Sequence, residues 1–423
     1  MFMIKRIKIS KYYILAYLYF FVNSVGLSGG LLFTNLLTPF FYIWLFLKTK
    51  QPVLLPLFLV LVPFNIIHLL NGVDISSFLV SNALFISTYI FVMSFSYFIN
   101  HFPNPEHIFK HLLITNFALV IIACGIYFTD YKELMWYKNK FTASVNEFYR
   151  LALFTFEASY YSLLIAPIAL YYLLKVIFGM HKKSAINIFI LVAIPLLLSL
   201  SFGVIAALAI SLGIVYLVNW KQIFYKKNMF NLLVIGLSLT IFVLVFLMVF
   251  FPDNAIFIRL NNIALGVDTS TRGRTTESIG MAWRVASEKS IWFGVGLGQI
   301  KIIALEIVKR YYQYWGELET VRIPNAVAET LAIFGISGVL FRFGLIIYLF
   351  FKTKVASNDY RLALFVLVFV YQFTGSYITN IVEYVIWVMA FSSAFPQFNR
   401  QSRLSSPTLI NKPTNESTIH RPS

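Results

Sequence analysis

Five charged side chains stand within or at the ends of long apolar stretches of this sequence, and chemistry is expected there first. They are Arg150, Glu157, Glu329, Arg342 and Glu383. A charge inside a bilayer costs about 3 kcal/mol on insertion scales, so each of these side chains should face water or the protein interior. A carboxylate in such a place can accept a proton from an attacking hydroxyl group, and an arginine can bind two phosphate oxygens at once.

These five residues divide by expected role. Glu157 is a candidate catalytic carboxylate, with a purely structural role as its alternative. Arg150 is a candidate phosphate ligand, with the anchoring of a helix end as its alternative. If Arg150 opens a helix, Glu157 follows about 10 Å further along the same face. Arg342 is interpreted as packing in a bundle or as reaching the membrane surface through its long side chain. The role of Glu383 is left open.

The longest stretch that could not lie in a bilayer is residues 252–325, which carries both signs of charge and several glycines. Within it, the run TRGRTT at 271–276 sets Arg272 and Arg274 among hydroxyl groups and a glycine. Guanidinium groups match phosphate oxygens in a two-pronged fork, so these two arginines are candidate pyrophosphate ligands. An ordinary solvated turn is the alternative for this run.

The end of the same stretch carries candidate sugar-binding and acceptor-binding residues. Trp315, Glu317 and Glu319 combine an aromatic ring with carboxylates, a pairing suited to a sugar, although a packed loop helix would use the same residues. Asn325 is a further candidate contact for the sugar or acceptor. Glu329 lies one turn after Asn325 on the same helix face, and it is the second candidate catalytic carboxylate.

Metal and cofactor chemistry is not expected in this stretch. The run FGVGLG at 293–298 lacks a surrounding βαβ unit, so it predicts a tight re-entrant turn rather than a dinucleotide-binding loop. None of the six histidines falls between residues 252 and 325, which excludes a zinc site or a histidine base there. No carboxylate spacing resembles a calcium loop. The sequence predicts a site without metal or cofactor.

The composition predicts an all-α, polytopic membrane protein. Of the 423 residues, 59% are hydrophobic and only 12% are charged, so lipid is the main solvent. Since a spanning helix needs about 20 apolar residues, about twelve spans are predicted, or ten if two pairs are single broken helices. The predicted spans are residues 12–28, 30–47, 52–70, 76–99, 108–128, 151–174, 185–201, 203–219, 229–251, 326–350, 360–375 and 378–395.

Lysine and arginine predict the orientation of these spans. If the N-terminus is cytoplasmic, most basic residues of the short loops fall on the cytoplasmic side, and residues 252–325 face outward. The net charge of +17 is then explained by topology, without nucleic acid. The chain divides into transmembrane helices 1–9 (1–251), a large periplasmic loop (252–325), transmembrane helices 10–12 (326–395) and a disordered cytoplasmic tail (396–423).

Three segments form an ordered set of motifs between about residues 145 and 350. The first is RLALFTFEASY at 150–160, the second is LSLSFG at 198–203, and the third runs from Arg272 to Gly338 and contains GVGLG, IPN and LAIFGISG. In this order they resemble the "EPS", "T-x-S-R-G" and "GVGLG, HN, ELGIIG" motifs of the O-antigen polymerase and ligase group of bacterial membrane glycosyltransferases. Three positions depart from those motifs: Ala158 replaces a proline, Phe202 an arginine and Pro324 a histidine.

The resemblance implies a fold like that of C-type membrane glycosyltransferases and a metal-independent enzyme in the bacterial inner membrane, with both termini in the cytoplasm. It implies a substrate of oligosaccharide repeat units on undecaprenyl pyrophosphate, with membrane lipids and a chain-length regulator protein as partners. Ligases carry a histidine where this chain has Pro324, which favours an O-antigen polymerase. An O-antigen ligase is the nearest alternative, and a flippase for the same lipid-linked sugar is the transporter alternative.

Overall fold

A computed structural model describes residues 11–25, 32–102, 105–138, 149–180, 185–221, 265, 273–274, 276–312 and 321–400. Within these ranges the chain is mostly helical. The helices are α1 (Lys11–Tyr17, continued by a π-helical turn at Leu18–Val22), α2 (Phe33–Thr49), α3 (Leu55–Leu70), α4 (Ile75–His101), α5 (Pro105–Ile126), α6 (Ala158–Ile177), α7 (Ala185–Ser199), α8 (Phe202–Val218), α9 (Thr276–Ser287), α10 (Ile300–Tyr312), α11 (Ala326–Lys352), α12 (Asp359–Tyr371) and α13 (Ile381–Phe391).

Short elements complete the described chain. Strands β1 (Trp136–Lys138) and β2 (Tyr149–Leu151) pair antiparallel, and 3₁₀ turns occur at Lys132–Leu134, Val355–Ser357 and Pro396–Phe398. The two strands form a small hairpin after α5 and before α6. The prediction of an all-α chain is therefore wrong in this one detail.

A helix lies at every predicted span except the ninth, residues 229–251, which falls outside the described residues. Among the described helices, four (α4, α5, α6 and α11) are long and apolar enough to cross a membrane. The remaining apolar helices at predicted spans are shorter. The composition and these helices support a multi-pass membrane protein, while the count of about twelve spans stays a prediction.

The predicted sixth span begins later than expected, and this changes the local geometry of two site residues. Arg150 lies on β2, opposite Tyr137 of β1, and α6 begins only at Ala158. Beyond the strand, the backbone N–H groups of Ala152 and Leu153 both donate to the carbonyl of Met135. Arg150 therefore does not open a helix, and it shares no helix face with Glu157.

The apolar residues of the hairpin explain why residues 149–153 resemble the start of a span. Trp136, Leu151 and Leu153 pack with Tyr161 and with the end of α5, and the indole of Trp136 donates to the carbonyl of Ala123 at 2.8 Å. The apolar side chains of the paired strands therefore cover helix ends. A hydropathy pattern does not distinguish such an apolar strand from the start of an apolar helix.

Helix α6 lies in the interior of the main bundle. Of the 18 most apolar consecutive residues of α6, 83% are buried, whereas 22% of the equivalent 18 residues of α11 are buried. α6 packs against α7, α8, α12 and α13, and the pairs α8–α12, α12–α13 and α4–α13 also pack together. α6 therefore lies among the other described helices, whereas the most apolar part of α11 lies at their periphery.

The glycine-rich turn at 293–298 packs into a break in α11. Gly335 has φ of 65°, so the helix kinks there, and the N–H groups of Ile336 and Ser337 donate to the carbonyls of the two residues just before the turn, Ile291 and Trp292. A Cβ atom on Gly335 would lie 2.3 Å from the carbonyl carbon of Trp292, so only glycine fits. Gly294 has φ of 74° and meets the same break from the other side. The predicted tight turn is confirmed.

Candidate functional site

Arg274 and Glu157 come together at one end of the bundle, although 117 positions of sequence separate them. Nη2 of Arg274 lies 3.5 Å from Oε1 of Glu157, and Nη1 donates to the carbonyl of Thr374 at 3.5 Å. Both distances exceed the 2.7–2.9 Å, approximately, of a strong charged hydrogen bond. The exposed fractions of the two side chains are 30% and 23%, so an external ligand can reach the pair.

Glu157 is the N-cap residue of α6, and its backbone has the extended geometry of that position. Its side chain makes no capping hydrogen bond to the helix. Most acidic N-cap residues accept a bond from the first helical turn. The Glu157 carboxylate instead points to Arg274, which makes it available either to orient the guanidinium or to accept a proton.

Arg150 is buried beside this pair and joins the hairpin to the turn between α7 and α8. Its Nε donates to the carbonyl of Ser199 at 3.0 Å, and the Ser199 hydroxyl accepts a 2.6 Å bond from Ser162 of α6. Leu200, the next residue, has φ of 47°, so the chain turns sharply there. The LSLSFG segment at 198–203 is therefore one wall of the site.

Tyr137, opposite Arg150 on the hairpin, reports how closely the charges converge. Burial raises the pKa of Tyr137, the Glu157 carboxylate raises it further, and Arg150 and Arg274 lower it. One phenol is thus within electrostatic range of three of the predicted site residues. Arg274 contacts Glu157, Arg150 acts on the same phenol as both, and the common function of the three residues stays a prediction.

Asn325 fixes the backbone around Arg274. Its side-chain oxygen caps α11 by accepting bonds from Val327 and Ala328, and its amide nitrogen donates to the carbonyls of Arg274 at 3.0 Å and Phe373 at 2.9 Å. Asn325 is fully buried. This geometry gives Asn325 a positioning role. Its contact with sugar or acceptor stays a prediction, and to make that contact the amide would have to give up its hydrogen bonds to the carbonyls of Arg274 and Phe373.

Glu329, one turn into α11, reaches the loop between α12 and α13 rather than Arg274. Its Oε2 accepts a 2.6 Å bond from the backbone N–H of Ile378. Burial raises the pKa of neighbouring Tyr377 to about 12, Glu157 and Glu329 also raise it, and Arg322 and Arg274 lower it. Tyr377 therefore lies within range of both candidate carboxylates.

Arg342 and Glu383 form a separate buried pair within the helices. The guanidinium of Arg342 donates to Glu383, and its Nε donates to the Gln372 side chain at 3.0 Å. Glu383 is fully buried and Arg342 nearly so. The packing interpretation of Arg342 agrees with this arrangement, and Glu383, left open by the sequence, is its partner.

Several predicted residues lie outside the described part of the chain. These are Arg272, Trp315, Glu317 and Glu319, together with the tail from residue 401. Among the described residues, no group of three or more His, Cys, Asp or Glu side chains could hold a metal ion. Metal independence and the roles of these residues remain predictions.

The sequence did not single out the loop at 372–380, although the site depends on it. Thr374 contributes a backbone carbonyl to Arg274, and a Cβ atom on Gly375 would lie 3.0 Å from Nη1 of the same arginine. Tyr377 and Arg322 were missed too. The only signal was compositional, since QFTGSYITN is a polar stretch between two apolar runs.

Comparison with protein families gives one finding. Residues 187–343 match the family model described as O-antigen ligase. The match covers a little over one third of the chain and agrees with the resemblance to the O-antigen polymerase and ligase group. It includes Arg274, Asn325 and Glu329, whereas Arg150 and Glu157 precede it. A search of curated proteins found no match. The family supports activity of the O-antigen ligase or polymerase type, without separating the two.

Proposed function

We propose that this protein polymerises oligosaccharide repeat units carried on undecaprenyl pyrophosphate into O-antigen or a related surface polysaccharide. The observation that carries the proposal is the accessible Arg274–Glu157 pair with Arg150 beside it. Guanidinium groups suit the pyrophosphate, and the carboxylate suits the acceptor hydroxyl. In this proposal, residues at one end of the bundle would supply both the pyrophosphate ligands and the base that glycosyl transfer from a lipid pyrophosphate needs.

In this mechanism the bond between the anomeric carbon and the pyrophosphate oxygen breaks as the acceptor hydroxyl oxygen bonds to that carbon. Arg274, with Arg150 and Arg272, would stabilise the negative charge that develops on the departing pyrophosphate. The hydroxyl proton would pass to Glu157, or to Glu329 if the acceptor lies nearer Tyr377. The products are the lengthened sugar chain and free undecaprenyl pyrophosphate, and no nucleotide sugar or metal takes part.

A ligase is the second candidate, because the matched family model carries that description. Pro324 supports the polymerase, since it precedes Asn325 where the resembling ligases have a histidine. Proline has no titratable group, so a ligase of this sequence would need another residue for the work of that histidine.

Deletion of the gene separates these candidates. We expect lipopolysaccharide from the deletion strain to run on a gel as a single band carrying one repeat unit, because the first repeat is still attached while polymerisation is lost. Complete loss of O-antigen from the lipid core would instead indicate a ligase or a flippase. An unchanged ladder would reject all three functions.

The proposal places the protein in the inner membrane with both termini in the cytoplasm and residues 252–325 in the periplasm. Alkaline phosphatase is active only after export, so a fusion near Gly273 should be active and one after Arg403 inactive. This expectation rests on the basic residues of the short loops. The reverse pattern would refute the orientation and the periplasmic site with it.

A further inference from the structure

Arg322 is a third described arginine at this site, and no role for it follows from the sequence motifs. It is exposed, and it lies three residues before the cap residue Asn325. Its guanidinium carbon is 6.0 Å from the centroid of the Tyr377 ring. In the described part of the chain Arg322 takes part in no ion pair, whereas Arg274 is paired with Glu157. Among the described residues, then, no carboxylate neutralises its charge by direct contact, and its side chain is exposed.

The loop at 372–380 holds Arg322 and Arg274 near each other. Thr374 of this loop accepts a bond from Arg274, Ile378 donates to Glu329, and Tyr377 between them lies under Arg322. Arg322 and Arg274 both lower the pKa of Tyr377, so both guanidinium groups act on one phenol. Two positive groups thus flank the same short segment of backbone.

The described charges near these two phenols leave one positive charge in excess. Among the described residues, the charged side chains that act on Tyr137 and Tyr377 are three arginines and two glutamates. Glu157 is occupied by Arg274, and Glu329 accepts a backbone bond from Ile378. A positive charge in excess, carried by the exposed Arg322 and the partly exposed Arg274, favours an anion.

We propose that Arg322 is a further pyrophosphate-binding guanidinium at this site, alongside Arg274, and that the Tyr377 ring holds it in position. The inference rests on the proposed function and extends it by naming a residue that binds the same substrate group. A planar guanidinium over an aromatic face keeps its N–H groups directed outward, which leaves them available to phosphate oxygens.

Binding of inorganic pyrophosphate to the purified protein tests this directly. The protein is placed in phosphatidylcholine nanodiscs, which carry no net charge, and titrated with pyrophosphate and with phosphate by calorimetry. Arg322→Ala should weaken pyrophosphate binding about tenfold or more, the usual effect of losing a charged hydrogen bond. The pyrophosphate affinity of Arg322→Lys should lie between those of wild type and Arg322→Ala, because lysine keeps the charge but lacks the two-pronged guanidinium. The preference for pyrophosphate over phosphate should diminish in both.

Matched variants separate the guanidinium from its surroundings. Arg310→Ala removes another exposed arginine, paired with Glu288 at 3.6 Å, and should bind like wild type. Tyr377→Phe keeps the ring and should also bind like wild type, whereas Tyr377→Leu should lose about threefold, the size of an exposed cation–π contact. Thermal unfolding of each variant checks that it remains folded.

The outcomes distinguish this inference from the proposed function. If Arg322→Ala binds pyrophosphate like wild type while Arg274→Ala loses binding, Arg322 is not a ligand and the proposed site stands. If Tyr377→Leu matches wild type, the ring does not hold Arg322. If wild type prefers neither anion, the inference fails, and the polysaccharide ladder of the deletion strain then decides the proposed function by itself.

Discussion

Arg274→Lys is expected to lower polymer formation by on the order of 10²–10³-fold while the protein stays at wild-type abundance. Arg274 contacts Glu157 and the Thr374 carbonyl with separate nitrogens, and the proposed function requires it to contact phosphate as well. Lysine keeps the charge but has no planar fork, so it cannot make these contacts together. The length of the lipopolysaccharide ladder, and the rate with purified lipid-linked repeat units, measure the effect.

Arg310→Lys is the matched control, because it makes the same exchange at an exposed arginine that lies near neither candidate carboxylate in the described chain.

Glu157→Gln should also lower the turnover rate strongly, since general-base help contributes about 10²–10⁴-fold to the rate. Arg272→Lys should shorten the polymer and Arg272→Ala should shorten it more. If Arg272→Ala and Arg274→Ala both give normal ladders, neither of these arginines is a pyrophosphate ligand, and of the residues predicted for catalysis and pyrophosphate binding near the sixth span only Arg150 and Glu157 would remain candidates.

Glu383→Leu alone is expected to destabilise the protein by about 3–5 kcal/mol and to deplete it from the membrane. The substitution leaves the Arg342 guanidinium without its carboxylate partner where only 12% of the arginine side chain is exposed. An unpaired buried charge costs more than the pair contributes, because its desolvation is no longer offset. Membrane abundance and the thermal unfolding temperature in detergent measure the loss.

The double variant Arg342→Met with Glu383→Leu should restore abundance and polymerisation, because two apolar side chains of similar size replace the pair without leaving a charge. This rescue distinguishes a structural pair from a catalytic one. A double variant that is as stable as wild type yet makes no polymer would give the pair a role in the reaction. Normal abundance of Glu383→Leu would show that the pair contributes little to stability.

The sequence by itself determined the features that depend on local composition. Long apolar runs specify helices wherever lipid is the solvent, so a helix lies at each predicted span that the structure describes. Glycines at 294, 296 and 298 specified a tight turn because glycine adopts positive φ without strain, and all three have positive φ in the structure. Asn325 before an apolar run is a typical helix start, and the structure has α11 capped by that residue.

The tertiary structure alone decided where the charged residues meet. Arg150 lies on a strand because β1 pairs with it, and an apolar stretch gives the same hydropathy in either conformation. Arg150 donates to the backbone carbonyl of Ser199, and Arg274 donates to that of Thr374. Every residue has such a carbonyl, so no residue type reveals which one is used. The 3.5 Å contact between Arg274 and Glu157 exists because helix packing joins segments 117 positions apart, and no local pattern encodes that distance.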